Sequence, residues 1–154
     1  MSPVVLGGKT PVDFNMKFAD KKPILGKGKT WRGSIMGIAA GTMVAYIQII
    51  IQSNYNLEAF NLTEMTLTLG FLLSSGAIIG DIAKSFIKRR MNIERGKMLP
   101  LLDQIDFVIG ALIFASFATS IRLETAITLL IITPVVHRIA NIIAYKLKLK
   151  KVPW

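Results

Sequence analysis

GSIMGIAAGTMVAYIQIIIQSNYNL, residues 33 to 57, contains no Asp, Glu, Lys, Arg or His. Its inner part, Ser34 to Gln52, alone meets the rough 18-residue criterion for a helix that crosses a bilayer, so the reading of the fold starts here. Working outward, three more apolar segments follow at 65–87, 98–121 and 124–145, each reaching crossing length only by carrying ionisable side chains toward one end. Asp81 and Lys84 fall late in the second, Asp103 and Asp106 early in the third, and His137 and Arg138 in the later half of the fourth. The predicted architecture is an all-α integral membrane protein with four transmembrane helices, a single membrane-embedded domain over 1–154 whose cytoplasmic loops form the polar site. A segment at 1–33 precedes the spans, and a basic tail at 146–154 follows them.

The composition agrees. Of 154 residues, 52% are hydrophobic, and 19 Lys plus Arg stand against 9 Asp plus Glu for a net charge of +10. Such hydrophobicity excludes a disordered chain, and the absence of Cys excludes a disulfide scaffold. A large net positive charge then means either a nucleic-acid binder or a membrane protein with basic loops. The charges decide it by position: +5 over 1–34, −2 over 53–64, +2 over 81–106, 0 over 122–124 and +5 over 137–154. The basic regions alternate with the spans, so the positive-inside rule puts both termini and the central loop in the cytoplasm of a multi-pass cell-membrane protein. No stacking aromatics or reading helix accompany the basic residues, and no nucleic-acid partner is expected. No signal peptide is evident ahead of the first span.

This topology brings the intramembrane ionisable groups to one depth. Each costs roughly 2.5 to 3.5 kcal/mol in a membrane helix even on lenient scales, so they are expected to face a polar site between helices. Asp81, Lys84, Ser85 and Lys88 recur at helical spacing and form one stripe, which Arg89 and Arg90 extend. The bland alternative is a basic helix end whose long side chains snorkel around a paired Asp. Asp103 and Asp106 lie one turn apart, after Pro100, with Cβ atoms about 5 to 6 Å apart. Holding both ionised in a poor dielectric needs compensating charge, which a divalent cation supplies well, and oxygen ligands select Mg²⁺. The alternative is that Lys84, Lys88 or Arg95 neutralises the pair.

Before the first span, Gly26-Lys27-Gly28-Lys29-Thr30-Trp31-Arg32-Gly33 offers backbone N–H groups, a helix start and two cations, the makings of an anion site. It is not a Walker A loop, because Pro23 stands where the leading Gly belongs and no strand precedes it. A basic loop that only sets topology is the competing reading. In the fourth segment Thr133, His137 and Asn141 form a polar stripe with Arg138 beside it, near a kink expected at Pro134. Lys146, Lys148, Lys150 and Lys151 suit anionic headgroups. Gly37, Ala40 and Gly41 suit close helix packing.

Gly80-Asp81, Ser85-Phe-Ile-Lys88-Arg89-Arg90 and Leu99-Pro100-Leu-Leu-Asp103-Gln104-Ile-Asp106-Phe107 resemble the signature of the CTP-dependent phospholipid cytidylyltransferases. Gly-Gly-Lys-Thr10-Pro11-Val-Asp13, the Gly28-Lys29-Thr30-Trp31-Arg32 stretch, His137-Arg138-Ile-Ala-Asn141 and Pro153-Trp154 resemble its archaeal branch, the CDP-archaeol synthases. The resemblance covers nearly the whole chain. It implies an Mg²⁺-dependent nucleotidyltransferase whose partners are CTP and an archaeal ether-lipid phosphate. The implied reaction joins CTP to 2,3-bis-O-(geranylgeranyl)-sn-glycerol 1-phosphate, giving CDP-archaeol and pyrophosphate. It further implies that Asp81, Asp103 and Asp106 hold metal and that Lys88 and Arg89 stabilise pyrophosphate. Lys29, Thr30 and Arg32 would hold phosphates, with Thr10 and Ser85 among the substrate-binding residues and Gly28 or Asp13 near cytosine. His137, Arg138 and Asn141 would line the cavity. Members of this branch are expected to have five spans, so the first is expected to be missing ahead of Met1-Ser2-Pro3.

Two other readings compete. A CDP-alcohol phosphotransferase needs an Asp-Gly-x-x-Ala-Arg core that is absent from the sequence. A non-enzymatic anion or lipid-phosphate transporter would use the same charged cavity, and CTP binding without pyrophosphate release would favour it.

Overall fold

The computed structural model describes residues 8–26, 28–55, 63–93, 97, 99 and 102–148. Lys27, Arg95, Pro100, Lys150, Lys151, Pro153 and Trp154, singled out above, lie outside them. Among the described residues there are four helices, one in each of the four apolar segments: α1 Trp31–Asn54, α2 Leu67–Arg90, α3 Leu102–Ala115 and α4 Leu123–Lys146. Among the described residues there is no strand, only single antiparallel bridges at Pro11–Thr30 and Lys17–Pro23.

Each long helix begins or ends for a local reason. Thr30 caps α1 by accepting the Gly33 N–H at 3.2 Å, and Thr66 caps α2 by accepting the Leu69 N–H at 3.1 Å. Lys88, Arg89 and Arg90 close α2, where cations complement the carbonyl end of the helix dipole. α4 runs on through Pro134. The helices α1, α2 and α4 are each 24 residues long and apolar enough to cross a membrane. The third differs from the expected 98–121. The described part of α3 covers 14 residues and ends at Ala115, six residues before the expected end. Its apolar composition continues to Phe117, but Ser116 turns its hydroxyl back onto the Ile113 carbonyl, and Phe117 and Ala118 make tight three-residue bonds that end the helix.

Contacts run in chain order, α1 on α2, α2 on α3 and α3 on α4, and the α2–α3 interface is the most extensive. In a bilayer, helix association needs close backbone approach rather than apolar burial, and small residues supply it. On the α1–α2 seam Gly37 faces Ile78, Gly41 faces Ser74 and Ala45 faces Gly70, an antiparallel register that steps by four on both helices. Between α2 and α3 the fit is tighter still, because a Cβ on Gly80 would strike the Asp106 carbonyl and one on Gly110 would strike the Gly76 carbonyl and the Gly80 backbone. This crossing sets the distance between the carboxylates of the two helices. Gly80→Ala is expected to lower stability by about 1–3 kcal/mol through overpacking against backbone, read as a fall in Tm in detergent; an unchanged Tm would mean that the helices have room to part.

Candidate active site

Asp81 and Lys84 share a face of α2 because they are three residues apart, and Asp103 and Asp106 share a face of α3 for the same reason. The glycine crossing turns these faces toward each other. The result is one ammonium among three carboxylates: Lys84 Nζ lies 3.0 Å from Asp81 Oδ1, 3.5 Å from Asp103 Oδ1 and 2.9 Å from Asp106 Oδ2. Two more cations complete the cluster. The Lys29 ammonium pairs with Asp81 Oδ2, carrying the segment before α1 onto α2. Lys88, buried, donates to both Asp103 oxygens at 2.9 and 3.1 Å and to the Lys97 carbonyl at 2.6 Å. The Leu99 N–H also donates to Asp103 at 2.7 Å. Three carboxylates thus meet three ammonium groups in a region of low exposure.

Asp106 is the exception within this balance. Its side chain is 5% exposed, and neither carboxylate oxygen accepts an aligned hydrogen bond among the described residues, although the Lys84 ammonium stands 2.9 Å from one of them. A buried carboxylate with unused lone pairs is costly, and an oxygen-seeking cation is one means of satisfying it. The donor set therefore suits a hard divalent ion in kind. Among the described residues, however, no three acidic or imidazole groups are already drawn together at metal-binding spacing. Lys84 holds the centre of the trio.

Several groups read as ligands are engaged by protein atoms in the structure. Thr30 Oγ1 is taken by the N–H groups of Gly33 and Gly8, so it joins the helix start to residue 8. Ser85 donates its hydroxyl to the Asp81 carbonyl inside α2 at 2.9 Å, which packs it along its own helix. Lys88, read as a pyrophosphate contact, is engaged by Asp103 and the Lys97 carbonyl and so positions Asp103. Asp13, read as near cytosine, is buried, and its oxygens accept the N–H groups of Asn15, Leu25 and Gly26 at 2.9 to 3.1 Å. It organises the 13–26 loop. Gly28 is exposed. Arg89 donates to the Ile93 carbonyl at 2.6 Å and makes no ion pair with a carboxylate among the described residues.

On α4, His137 packs against the Phe107 ring at 6.3 Å between centroids and lies 3.4 Å from Asn141 Nδ2. The pair thus touches the residue next to Asp106, and no ion pair joins His137 to the carboxylates among the described residues. Arg138 is exposed and stands outside the ion cluster. Thr10 and Arg32 line a separate groove at the start of α1.

Sequence reasoning placed Arg90 on the basic stripe of α2 but not against the 18–23 loop. It pairs with Asp20, donates to the Pro23 carbonyl at 2.6 Å, and lies about 5 Å from the ring centres of Phe18 and Phe86, so it fastens the 18–23 loop to the end of α2. Asp20 lies 70 residues away along the chain, a separation at which no spacing rule operates.

The pH response of this loop follows from Asp13. Burial disfavours its charged form, but the amide N–H groups of Leu25, Gly26 and Asn15 outweigh that and hold the carboxyl below 3.8. A depressed folded-state value means the stabilisation is present above the ordinary carboxylate range and is lost as pH falls through the lower value. Protection of the 13–26 amides, taken relative to their intrinsic exchange rates, should therefore fall on acidification below the ordinary carboxylate range, and Asp13→Asn should be poorly protected already at neutral pH. Identical profiles for the two proteins would contradict this role.

The comparisons with known proteins agree with one another. A family model described as CarS-like, CDP-archaeol synthase, matches residues 1–154. The CDP-archaeol synthase of Methanocaldococcus jannaschii is 48% identical over 156 residues, spanning 99% of this chain and 88% of that protein. The CDP-archaeol synthase of Pyrococcus abyssi is 46% identical over 153 residues, spanning 99% of this chain and 89% of the relative. A solved structure of an intramembrane enzyme for archaeal membrane lipid biosynthesis superposes with a TM-score of 0.78 at 35% identity, covering 92% of this chain and 84% of that one.

Proposed function

The chain belongs to the CDP-archaeol synthase family, and from that premise we propose that it transfers CMP from CTP to 2,3-bis-O-(geranylgeranyl)-sn-glycerol 1-phosphate, using Mg²⁺ at the cytoplasmic face of the cell membrane. The observation that carries the site is the meeting of Asp81, Asp103 and Asp106 around one ammonium, from two helices, at the end of the bundle where the basic 8–30 segment docks. A phosphate oxygen of the lipid attacks the α-phosphorus of CTP, a P–O bond forms, the bond to the β-phosphate oxygen breaks, and pyrophosphate leaves. The attacking phosphate is already ionised at neutral pH, so no protein base is needed, and His137 has an orienting role.

The chain's task is positioning and charge neutralisation. Asp81, Asp103 and Asp106 would hold Mg²⁺, with substrate phosphates completing its shell. When bound, the ion neutralises phosphate charge and polarises the P–O bonds. Without substrate, the carboxylates and ammonium groups balance one another, so the several negative charges of a triphosphate call for added positive charge. Arg89, which has no carboxylate partner among the described residues, faces the departing pyrophosphate. Lys84 keeps the carboxylates gathered, and Lys88 fixes Asp103.

The test is transfer of label from CTP to ether-linked and ester-linked lipid phosphates in parallel, with and without Mg²⁺. Labelled lipid product and pyrophosphate are expected with the ether lipid and the metal together. Tight CTP binding with no pyrophosphate from any lipid phosphate would favour the transporter reading instead.

A further inference from the structure

Residues 16–24 form a short two-stranded ribbon ahead of the helices. The Phe18 N–H donates to the Lys22 carbonyl at 2.9 Å, the Ile24 N–H donates to the Met16 carbonyl at 3.2 Å, and Lys17 bridges to Pro23 between them. Large apolar side chains on and beside the ribbon are left open: Phe14, Met16 and Phe18 are 61%, 55% and 48% exposed. We propose that this ribbon is an interfacial membrane surface, with Phe14, Met16 and Phe18 set into the headgroup–acyl boundary and Lys17 and Lys21 against the anionic headgroups of the surrounding bilayer. The partner is the bulk bilayer rather than a substrate, and the inference does not depend on the cytidylyl-transfer reading.

The depth of the ribbon follows from what it touches. The Phe14 ring lies 6.5 Å from that of Trp31, the first residue of α1, and the Phe18 ring meets Phe86 of α2 edge to face at 5.6 Å. Both are spanning helices, so their ends lie at the level where aromatic side chains collect in membrane proteins. Phe86 precedes Arg90, the last residue of α2, by four positions, about 6 Å along the axis, so Phe18 reaches past the helix end toward the bilayer. In extended chain Met16 shares a face with Phe18, and Lys17 takes the other. The apolar face is thereby turned to lipid and the basic one to headgroups.

Backbone strain points the same way. Phe14 and Asn15 have φ of 49° and 61°, in the left-handed region that bulky side chains avoid, and Asp13 holds the turn by accepting the Asn15 N–H. The fold sustains that strain while leaving the Phe14 ring mostly uncovered, so packing within the described chain does not account for it. Charge fits an anionic surface. Lys17 and Lys21 make no ion pair among the described residues, and the one carboxylate of the ribbon, Asp20, is held by Arg90. Position at the end of two spans favours a bilayer over a protein partner.

Because the chain has no Cys, a single spin label can be placed on the full chain in nanodiscs. A label at Met16→Cys should be reached by oxygen and shielded from a water-soluble nickel chelate, and one at Lys17→Cys should show the reverse, with oxygen-to-nickel ratios several-fold apart. Phe14→Asn keeps the turn, since Asn tolerates the left-handed region, and should move the Met16 label toward water. Equal ratios at the two positions, or a Met16 label closed to both reagents because protein covers it, would overturn the proposal. The charge is read by hydrogen exchange of the Phe18 and Ile24 amides in phosphatidylcholine alone and with phosphatidylglycerol added. Each lysine near an anionic surface contributes about fivefold, so the anionic lipid should raise protection about tenfold or more, and Lys17→Gln with Lys21→Gln should erase the gain. Equal protection in the two bilayers would remove anionic headgroups as the partner. Neither readout uses turnover, so both stand apart from the outcome of the transfer assay.

Discussion

Asp106→Asn should reduce transfer of CMP from CTP to the lipid phosphate by about a hundredfold to a thousandfold while leaving the helices folded. Asn keeps the shape and volume of the side chain and removes one negative charge and one oxygen that the proposed Mg²⁺ would use. Asp106 is the cleanest of the three carboxylates to test, because the others carry structural duties. Asp103 also binds Lys88 and the Leu99 N–H, and Asp81 also holds Lys29. Removing either of those would loosen a loop as well as the site. Asp106 accepts no aligned hydrogen bond among the described residues, so its loss leaves only Lys84 with one partner fewer. The measurement is kcat and KM for labelled CTP across an Mg²⁺ titration, with circular dichroism to establish folding. A folded Asp106→Asn protein with undiminished kcat at limiting Mg²⁺ would remove Asp106 from the metal-binding set.

The fold was largely legible because the membrane imposes long charge-free stretches, and the stretch at 33–57 leaves few alternatives. The convergence of Asp81 with Asp103 and Asp106 was legible too, since alternating spans bring the end of one helix and the start of the next to a common depth. What the sequence could not supply was the occupancy of each hydrogen-bonding group. Ser85, Thr30 and Asp13 have the chemistry of ligands, yet each spends it on nearby backbone, a choice that depends on loop and helix geometry. The length of α3 was misread because hydropathy continues past Ala115 while the backbone turns. Arg90 was read as the edge of a basic stripe, since nothing in local spacing links it to Asp20 or Phe18. Lys84 was legible as a neutralising partner on the stripe, but its place among all three carboxylates depends on the glycine crossing at Gly80 and Gly110.

That central place gives Lys84 an outcome opposite in kind to Asp106. Lys84→Met keeps the length of the side chain and deletes its charge, leaving Asp81, Asp103 and Asp106 to repel one another with Lys29 and Lys88 as the remaining counter-charges. Breaking a buried ion pair from one side costs about 3–5 kcal/mol, so in EDTA the variant should unfold at a clearly lower temperature than the parent. The proposed divalent ion among the carboxylates would supply the missing positive charge. Mg²⁺ should accordingly raise Tm more in Lys84→Met than in the parent, where the ammonium competes for the same oxygens. Adding Asp81→Asn to Lys84→Met should restore part of the stability in EDTA, because one of the repelling charges is gone, and the double-mutant cycle reads that coupling directly. Equal Mg²⁺ responses in parent and variant would mean that the ion does not bind where Lys84 sits. The site would then need a metal position away from the centre of the trio.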